Sequence, residues 1–226
     1  IKMSKKSFYT NPAVYVLLIT VLLIQTSCKN FNDSTSSSEK RSENIFAMDT
    51  YITVTAYGED TDKDLQAAEE KLTLLDKMWS VTDEDSEIYK INHSGGQAVE
   101  VSSETAELLK FSLDIYERTD GAFDISLYPV LTAWGFTTNE YHVPSDEEIA
   151  GLLENTGVQN ISLDDNTVQI PGNMQIDLGA VGKGYAGDLV AQKLKSNGVS
   201  SALIDLGGNI QTVGVKPNGE KWTVGV

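Results

Sequence analysis

From about residue 44, apolar residues recur at two spacings, and these spacings predict the secondary structure of the first half of the domain. Apolar and polar residues alternate over residues 45–57, which predicts one β-strand. Apolar residues three or four positions apart predict a helix over residues 62–79, and the same pattern returns over residues 103–118. The first half of the domain therefore starts with a strand that is followed by two long amphipathic helices.

The second half mixes short helices with β-hairpins. A third helix is predicted to start at Ser145, with Glu148 completing a capping box, and to stop near Gly157. The remaining predicted elements are strands at 161–163, 168–170 and up to 176, a helix over 185–196, strands on both sides of Gly207-Gly208-Asn209, and a turn at 217–219 before a last strand from 222. This mixture predicts an α+β fold, with a mixed, largely antiparallel sheet and flanking helices.

The first 27 residues have the pattern of a signal peptide. Two lysines precede an apolar run of 12 residues, 13–24, which is too short for a typical transmembrane span. Small residues then lead to Cys28, the single cysteine of the chain. The pattern resembles a bacterial lipoprotein signal, which implies cleavage before Cys28 and a lipid on its thiol. A signal peptide without lipidation and a signal anchor remain the alternatives.

Beyond Cys28, composition divides the chain into a tether and a domain. Residues 28–44 are polar and rich in serine, so they cannot bury a core and are predicted to be a flexible tether. Residues 45–226 are long enough for a single core. We therefore expect an extracytoplasmic domain that is lipid-anchored to the outer face of the bacterial cytoplasmic membrane. Because the chain stops within a predicted strand, we also expect that the C-terminal part of this domain is missing.

The charge of the chain limits its partners. There are 33 acidic and 17 basic residues, which give a net charge of −16. Such a surface repels nucleic acid, so no nucleic-acid partner is expected. A ligand that carries phosphate would need a local cation. The two histidines, His93 and His142, lie in polar, turn-like stretches and are given no role.

The segment 177–188, DLGAVGKGYAGD, contains the densest candidate chemistry. Its four glycines, with Lys183, predict a strand, a turn and a helix. Glycine allows the backbone to approach a ligand, and a helix N-terminus favours anions. The segment therefore predicts a phosphate-binding site, and a glycine-rich turn without a ligand is the alternative. It is not a P-loop, which requires Gly-x-x-x-x-Gly-Lys-Ser/Thr.

Several further strings occur in a particular order along the chain. They are Met48-Asp49-Thr50, MWSVTDEDSEIYKIN at 78–92, DGAFDI at 120–125, WGF at 134–136 and LGGN at 206–209. Together with the segment 177–188, they resemble the ApbE family of flavin transferases, also described as FAD:protein FMN transferases. The resemblance covers about residues 45–226.

The resemblance implies an activity and a set of contacts. The activity is Mg²⁺-dependent transfer of FMN from FAD to a Thr or Ser of an acceptor protein, with release of AMP. In the family, the residues that correspond to Asp177 and Lys183 contact FAD, and the backbone carbonyl of the residue that corresponds to Ala180 binds Mg²⁺. The flavin is lined by the residues at positions Met48, Ala122, Phe123 and Asp124. Many members carry an aromatic residue at the position of Thr82, where it stacks on the cofactor.

The resemblance leaves the catalytic residues unassigned. The family has a later segment that contains His, and a later Asp and Thr that complete the metal site, none of which occurs in residues 1–226. We therefore expect this chain alone to lack part of the machinery. The alternative functions are an FAD pyrophosphatase that produces FMN and AMP, and a non-catalytic flavin-binding lipoprotein.

Overall fold

Two antiparallel sheets and six α-helices make up the part of the chain that the computed structural model describes, residues 39–138 and 140–225. The predicted signal peptide, Cys28 and most of the predicted tether lie outside these residues. The elements are β1 (Lys40–Ala47), β2 (Thr50–Tyr57), α1 (Asp62–Trp79), α2 (Glu87–Asn92), β3 (Val99–Glu100), α3 (Ser103–Arg118), α4 (Tyr128–Ala133), α5 (Asp146–Leu153), β4 (Ser162–Asp164), β5 (Thr167–Gln169), α6 (Gly179–Ser196), β6 (Ser201–Leu206) and β7 (Asn209–Gly214).

The larger sheet carries the core. Its strand order is β1-β2-β6-β7, and every neighbouring pair is antiparallel. The helices α1 and α6 pack against each other and against this sheet. Apolar side chains of the strands and helices are fully buried between them, for example Ile52, Val54, Leu72, Leu75, Val190 and Ile204. The smaller sheet has the order β3-β5-β4. The α+β class predicted from the sequence is thus confirmed.

The single strand predicted over residues 45–57 is wrong, because these residues belong to a hairpin. β1 and β2 pair from Lys40 with Tyr57 to Ala47 with Thr50, and a two-residue turn joins them. The buried positions change from odd numbers in β1 to even numbers in β2, and this change of phase is what the alternation concealed. Residues 40–44, which were predicted to belong to the tether, are part of the sheet.

The strand–turn–helix predicted around residues 177–188 is also wrong. Residues 174–178 form no strand, and α6 already begins at Gly179, six residues before the predicted start. The four glycines of this segment lie inside the helix, and none has a positive φ. Gly182 is buried against Trp79, since a Cβ there would lie 3.6 Å from the ring atom Cε3. This glycine therefore allows close packing of α6 on α1 rather than a turn.

The other predicted elements agree more closely. The long helices occur at Asp62–Trp79 and Ser103–Arg118, as predicted. Ser145 caps α5 by accepting a hydrogen bond from the amide of Glu148, but the helix ends at Leu153 rather than near Gly157. The turn at 217–219 forms, whereas residues 222–225 form no strand. In the described ranges, no helix is both long and apolar enough to cross a membrane.

Candidate functional site

A cavity of about 650 Å³ opens beside the N-terminal end of α6. Its walls are the turn between β1 and β2, the C-terminal end of α1 with the loop that follows it, and the start of α6 with the two residues before it. Residues Phe136 and Thr137 close a further side. The cavity is therefore formed where elements distant in sequence meet at one end of the larger sheet.

The turn of the β1–β2 hairpin brings Met48 to the cavity. Met48 and Asp49 adopt φ values of 53° and 56°, in the left-handed region that non-glycine residues rarely occupy. The amide of Met48 donates a hydrogen bond to Oδ1 of Asp76, at 2.8 Å. This bond ties the hairpin turn to the last turns of α1, and both residues line the cavity.

Asp177 is held from two directions. Its amide donates to the carbonyl of Ile125 at 2.8 Å, and its Oδ1 accepts the amide of Gly179 at 2.9 Å. Burial raises the pKa of the Asp177 carboxyl, while the hydrogen bond from Gly179 and the positive charge of Lys183 act in the opposite direction. In the described part of the chain, Lys183 takes part in none of the ion pairs. The Lys183 ammonium is thus available to a ligand in the cavity.

The loop after α1 is ordered by a serine. Ser80 Oγ accepts hydrogen bonds from the amides of Thr82 and Asp83, at 3.2 and 3.0 Å. These bonds hold the exposed Thr82 at the cavity wall. Because threonine has no ring, this position cannot provide a stacking surface.

Comparison with known proteins assigns a family to this arrangement. The ApbE family model matches residues 48–226. The chain belongs to the ApbE family. Its fold matches that of the ApbE protein from Thermotoga maritima, with a TM-score of 0.76 and 32% sequence identity, over 80% of this chain and 61% of that one.

Curated ApbE relatives are similar at the level of sequence. The FAD:protein FMN transferase from Vibrio cholerae is 30% identical over 147 residues, which cover 63% of this chain and 44% of the relative. The enzyme of the same description from Escherichia coli K12 is 29% identical over 191 residues, which cover 79% of this chain and 54% of the relative. This chain thus spans about half the length of the curated relatives it matches.

The structure brings together only some of the residues singled out by the resemblance to ApbE proteins. Met48, Asp177 and Lys183 line the cavity, whereas Ala122, Phe123, Asp124 and Ala180 do not. Asp124 instead accepts hydrogen bonds from the amide and hydroxyl of Ser126, at 2.7 and 2.6 Å, and thereby caps a short 3₁₀ turn. Ala180 is exposed in the first turn of α6.

Asp76 and Phe136 are among the lining residues that were not predicted as site residues. Asp76 is one of several acidic residues on α1, and nothing in its spacing distinguishes it. Phe136 belongs to the WGF string, but no role was given to it. Its side chain is 60% exposed although it lines the cavity, and its ring lies 6.4 Å from that of Trp134 with an interplanar angle of 19°. The exposure of this ring beside the cavity is visible only in the structure, and the WGF string alone does not show it.

The charged residues that line the cavity determine whether it can bind a divalent cation. Lysines 77 and 183 and the carboxylates of Asp49, Asp76, Asp83 and Asp177 line it. Even so, within 39–138 and 140–225 no three His, Cys, Asp or Glu side chains converge in a way that could hold a metal ion. A Mg²⁺ ion bound at this wall would therefore need ligands from the substrate or from water as well.

Proposed function

We propose that the natural protein containing this chain transfers FMN from FAD to a Thr or Ser hydroxyl of an acceptor protein. The hydroxyl oxygen attacks the phosphorus atom of the FMN part, and a new phosphoester bond forms. The bond between this phosphorus and the bridging oxygen breaks, AMP leaves with that oxygen, and the hydroxyl proton is released. Membership of the ApbE family, together with a cavity that contains Asp177 and Lys183, supports this proposal.

Lys183 has the chemistry to bind the diphosphate of FAD. Its ammonium is a compact point charge and lies beside the N-terminal end of a helix of 18 residues, which also favours an anion. Asp177 would repel phosphate, so we assign its carboxylate to a hydroxyl or N–H donor of FAD. The two side chains would thus recognise different parts of the same substrate.

The cavity also has the size and apolar surface that a flavin substrate needs. Its volume of about 650 Å³ lies within the range of typical ligand pockets, roughly 300–1,000 Å³. Met48 and the ring of Phe136 provide apolar surface at its wall. Phe123 is half-buried against the core rather than in this wall, so its proposed contact with the flavin depends on FAD extending beyond the cavity.

We propose that the natural protein binds Mg²⁺ together with FAD. A backbone carbonyl is a suitable ligand for a hard cation, and we assign that of Ala180 to it. Ala180 does not line the cavity, so this contact, like that of Phe123, depends on FAD extending beyond it. The remaining ligands would come from the substrate, from water or from residues outside the described ranges. Bound in this way, Mg²⁺ would neutralise charge on the diphosphate.

We also propose that the protein is attached by a lipid on Cys28 to the outer face of the cytoplasmic membrane. The signal-like sequence before Cys28 supports this location. Cells labelled with a radioactive fatty acid should incorporate label into the natural protein, and Cys28→Ala should abolish incorporation. Equal labelling of the two proteins would exclude Cys28 as the site of lipidation.

The transfer reaction can be tested with the natural protein, FAD, Mg²⁺ and an acceptor domain. Covalent flavin on the acceptor is measured by fluorescence in a denaturing gel, and AMP is measured in solution. Lys183→Met should lower kcat/KM for FAD by about tenfold or more, because a charge-assisted contact is lost. Lys193→Met, at the other end of α6, is the matched control and should retain wild-type activity.

The products distinguish transfer from its alternatives. Equal amounts of acceptor-bound flavin and AMP are expected. Free FMN that accumulates without acceptor would identify a pyrophosphatase, and FAD that stays bound and intact with Mg²⁺ would identify a binding protein. Either result would contradict the proposed transfer.

A further inference from the structure

The side chain of Asn92 binds both backbone groups of one distant residue. Asn92 Nδ2 donates to the carbonyl of Ile176 at 2.9 Å, and Oδ1 accepts the amide of Ile176 at 2.8 Å. The two residues are 84 positions apart, and Asn92 is only 7% exposed. One side chain therefore provides the hydrogen bonds that a neighbouring strand would otherwise provide.

These bonds matter because residues 174–178 belong to no sheet. A buried backbone segment without a strand partner still needs its amides and carbonyls paired. Ile176 itself is fully buried, and Asn92 pairs both of its groups. The next residue, Asp177, donates its amide to the carbonyl of Ile125 at 2.8 Å. Three hydrogen bonds thus fix the backbone of Ile176 and Asp177.

The support for Asn92 is rigid. It is the last residue of α2, whose N-terminus is capped by Ser86 through a 2.9 Å bond from the amide of Tyr89. Ile88 and Ile91 of the same helix are buried in the core. The Asn92 amide carries both a donor and an acceptor, whereas an ionised aspartate only accepts and leucine does neither, so neither residue can replace both bonds.

We propose that Asn92 is a positioning residue for the FAD site, because it holds Ile176 and thereby keeps Asp177 at the cavity wall. The inference rests on the proposed function, since it assumes that Asp177 contacts FAD. Asn92 does not line the cavity, so it does not contact a substrate bound there. Its effect on FAD therefore passes through the backbone at 176–177.

Steady-state kinetics of the natural protein with FAD and acceptor test this role. Asn92→Leu should raise KM for FAD by about tenfold while kcat falls much less, because a substrate contact is displaced rather than a reacting group removed. Ile91→Val is the matched control on the same helix. It removes one buried methyl group next to Asn92 and should leave KM unchanged. An equal rise of KM in both variants would overturn the proposal.

A double-mutant cycle tests whether the effect acts through Asp177. If it does, adding Asn92→Leu to Asp177→Asn should raise the FAD dissociation constant less than twofold beyond Asp177→Asn alone, because coupled sites are not additive. Fully additive losses would contradict a role through Asp177. Hydrogen exchange completes the test: the amides of 174–178 should exchange at least about tenfold faster in Asn92→Leu than in Ile91→Val.

The outcomes separate this inference from the proposed function. If the wild-type protein binds no FAD, the proposed function fails. If the wild type binds FAD and Asn92→Leu binds it equally well, the proposed function stands and the inference is overturned. Unchanged hydrogen exchange at 174–178 in Asn92→Leu would also overturn it.

Discussion

The amide of Met48 donates a 2.8 Å hydrogen bond to Oδ1 of Asp76, and this bond joins a hairpin turn to the end of a helix. The turn consists of Met48 and Asp49, both with positive φ. Left-handed backbone costs a non-glycine residue about 1–2 kcal/mol, although it matches the twist that a two-residue hairpin prefers. The bond to Asp76 therefore helps to stabilise a strained turn at the wall of the cavity.

Replacing Asp76 should affect both stability and substrate binding. Asp76→Ala leaves the amide of Met48 without its partner, and we expect the free energy of unfolding to fall by about 1–3 kcal/mol. FAD affinity should fall as well, because Met48 loses its fixed position. Denaturant unfolding and fluorescence titration with FAD measure the two effects.

The matched control is Asp76→Asn, which removes the charge but keeps an oxygen that can accept the hydrogen bond. It should retain most of the stability and affinity that Asp76→Ala loses. If Asp76→Asn were as damaging as Asp76→Ala, the negative charge rather than the hydrogen bond would be the important property.

Gly184 provides a second prediction, since it lies in a helix and its position leaves room for a side chain. A Cβ at Gly184 would meet its nearest neighbour, Asn209 Nδ2, at 3.9 Å. Gly184→Ala should therefore raise the free energy of unfolding by about 0.5–1 kcal/mol through its helix propensity. Gly184 does not line the cavity, so FAD affinity should stay unchanged.

Gly187→Ala is the comparison within the same helix. Its Cβ would lie 3.1 Å from Leu206 Cδ1, so packing opposes the gain in propensity. We expect Gly187→Ala to be less stable than Gly184→Ala in the same denaturant experiment. Loss of FAD binding in Gly184→Ala would instead show that this glycine approaches the substrate.

The fold could be predicted where one hydrophobic pattern dominates, and it was predicted wrongly at one hairpin turn and at the segment whose backbone Asn92 pairs. The two long helices have a clear apolar stripe, and their bounds were predicted correctly. The hairpin at Met48-Asp49 was missed because its turn lacks the usual Asn-Gly or Asp-Gly signal. The segment before Asp177 was predicted as a strand because it is apolar, and nothing local shows that Asn92 supplies its hydrogen bonds.

Part of the candidate site could be predicted, because the family motifs contain it. Met48, Asp177 and Lys183 were predicted to contact FAD from the motif strings, and the structure places all three at one cavity. The glycines around Lys183 were predicted to lie in a turn, because glycine is common in turns and uncommon in helices. Their close contact with Trp79 and Leu206 depends on tertiary packing, which a single sequence does not show.

Gly207 gives a third prediction, at the turn between β6 and β7. Its φ is 65°, and a Cβ there would lie 2.1 Å from Oγ1 of Thr50. Gly207→Ala should therefore lower the free energy of unfolding by about 1–3 kcal/mol through overpacking. Gly208→Ala is the control for backbone strain alone, since its φ is 97° and nothing lies within 4 Å. Thr50→Ala should partly restore Gly207→Ala, and no restoration would contradict the steric explanation.

The raised pKa of Asp177 predicts that stability depends on pH in a particular direction. In the unfolded chain the carboxyl loses its proton near the ordinary value of 3.8, while burial keeps it protonated to higher pH in the folded protein. As pH rises from 3.8 through the folded pKa, the folded state binds more protons than the unfolded state, so stability is lost. Asp177→Asn cannot titrate and avoids this loss.

We therefore compare the free energies of unfolding of Asp177→Asn and the wild type. The value for Asp177→Asn minus that for the wild type should increase as pH rises from about 4, the ordinary pKa of an Asp side chain, and should level off above the pKa of Asp177 in the folded protein. Denaturant unfolding of both proteins across this range measures the difference. Lys183 lowers the pKa of Asp177, so the same comparison in a Lys183→Met background should level off at higher pH. A difference that stays constant or decreases with pH would show that burial does not govern this carboxyl. Asp177→Asn should also bind FAD more weakly, because it loses the partly buried carboxylate that is proposed to contact the substrate. The wild-type protein would then keep this carboxylate at a cost in stability.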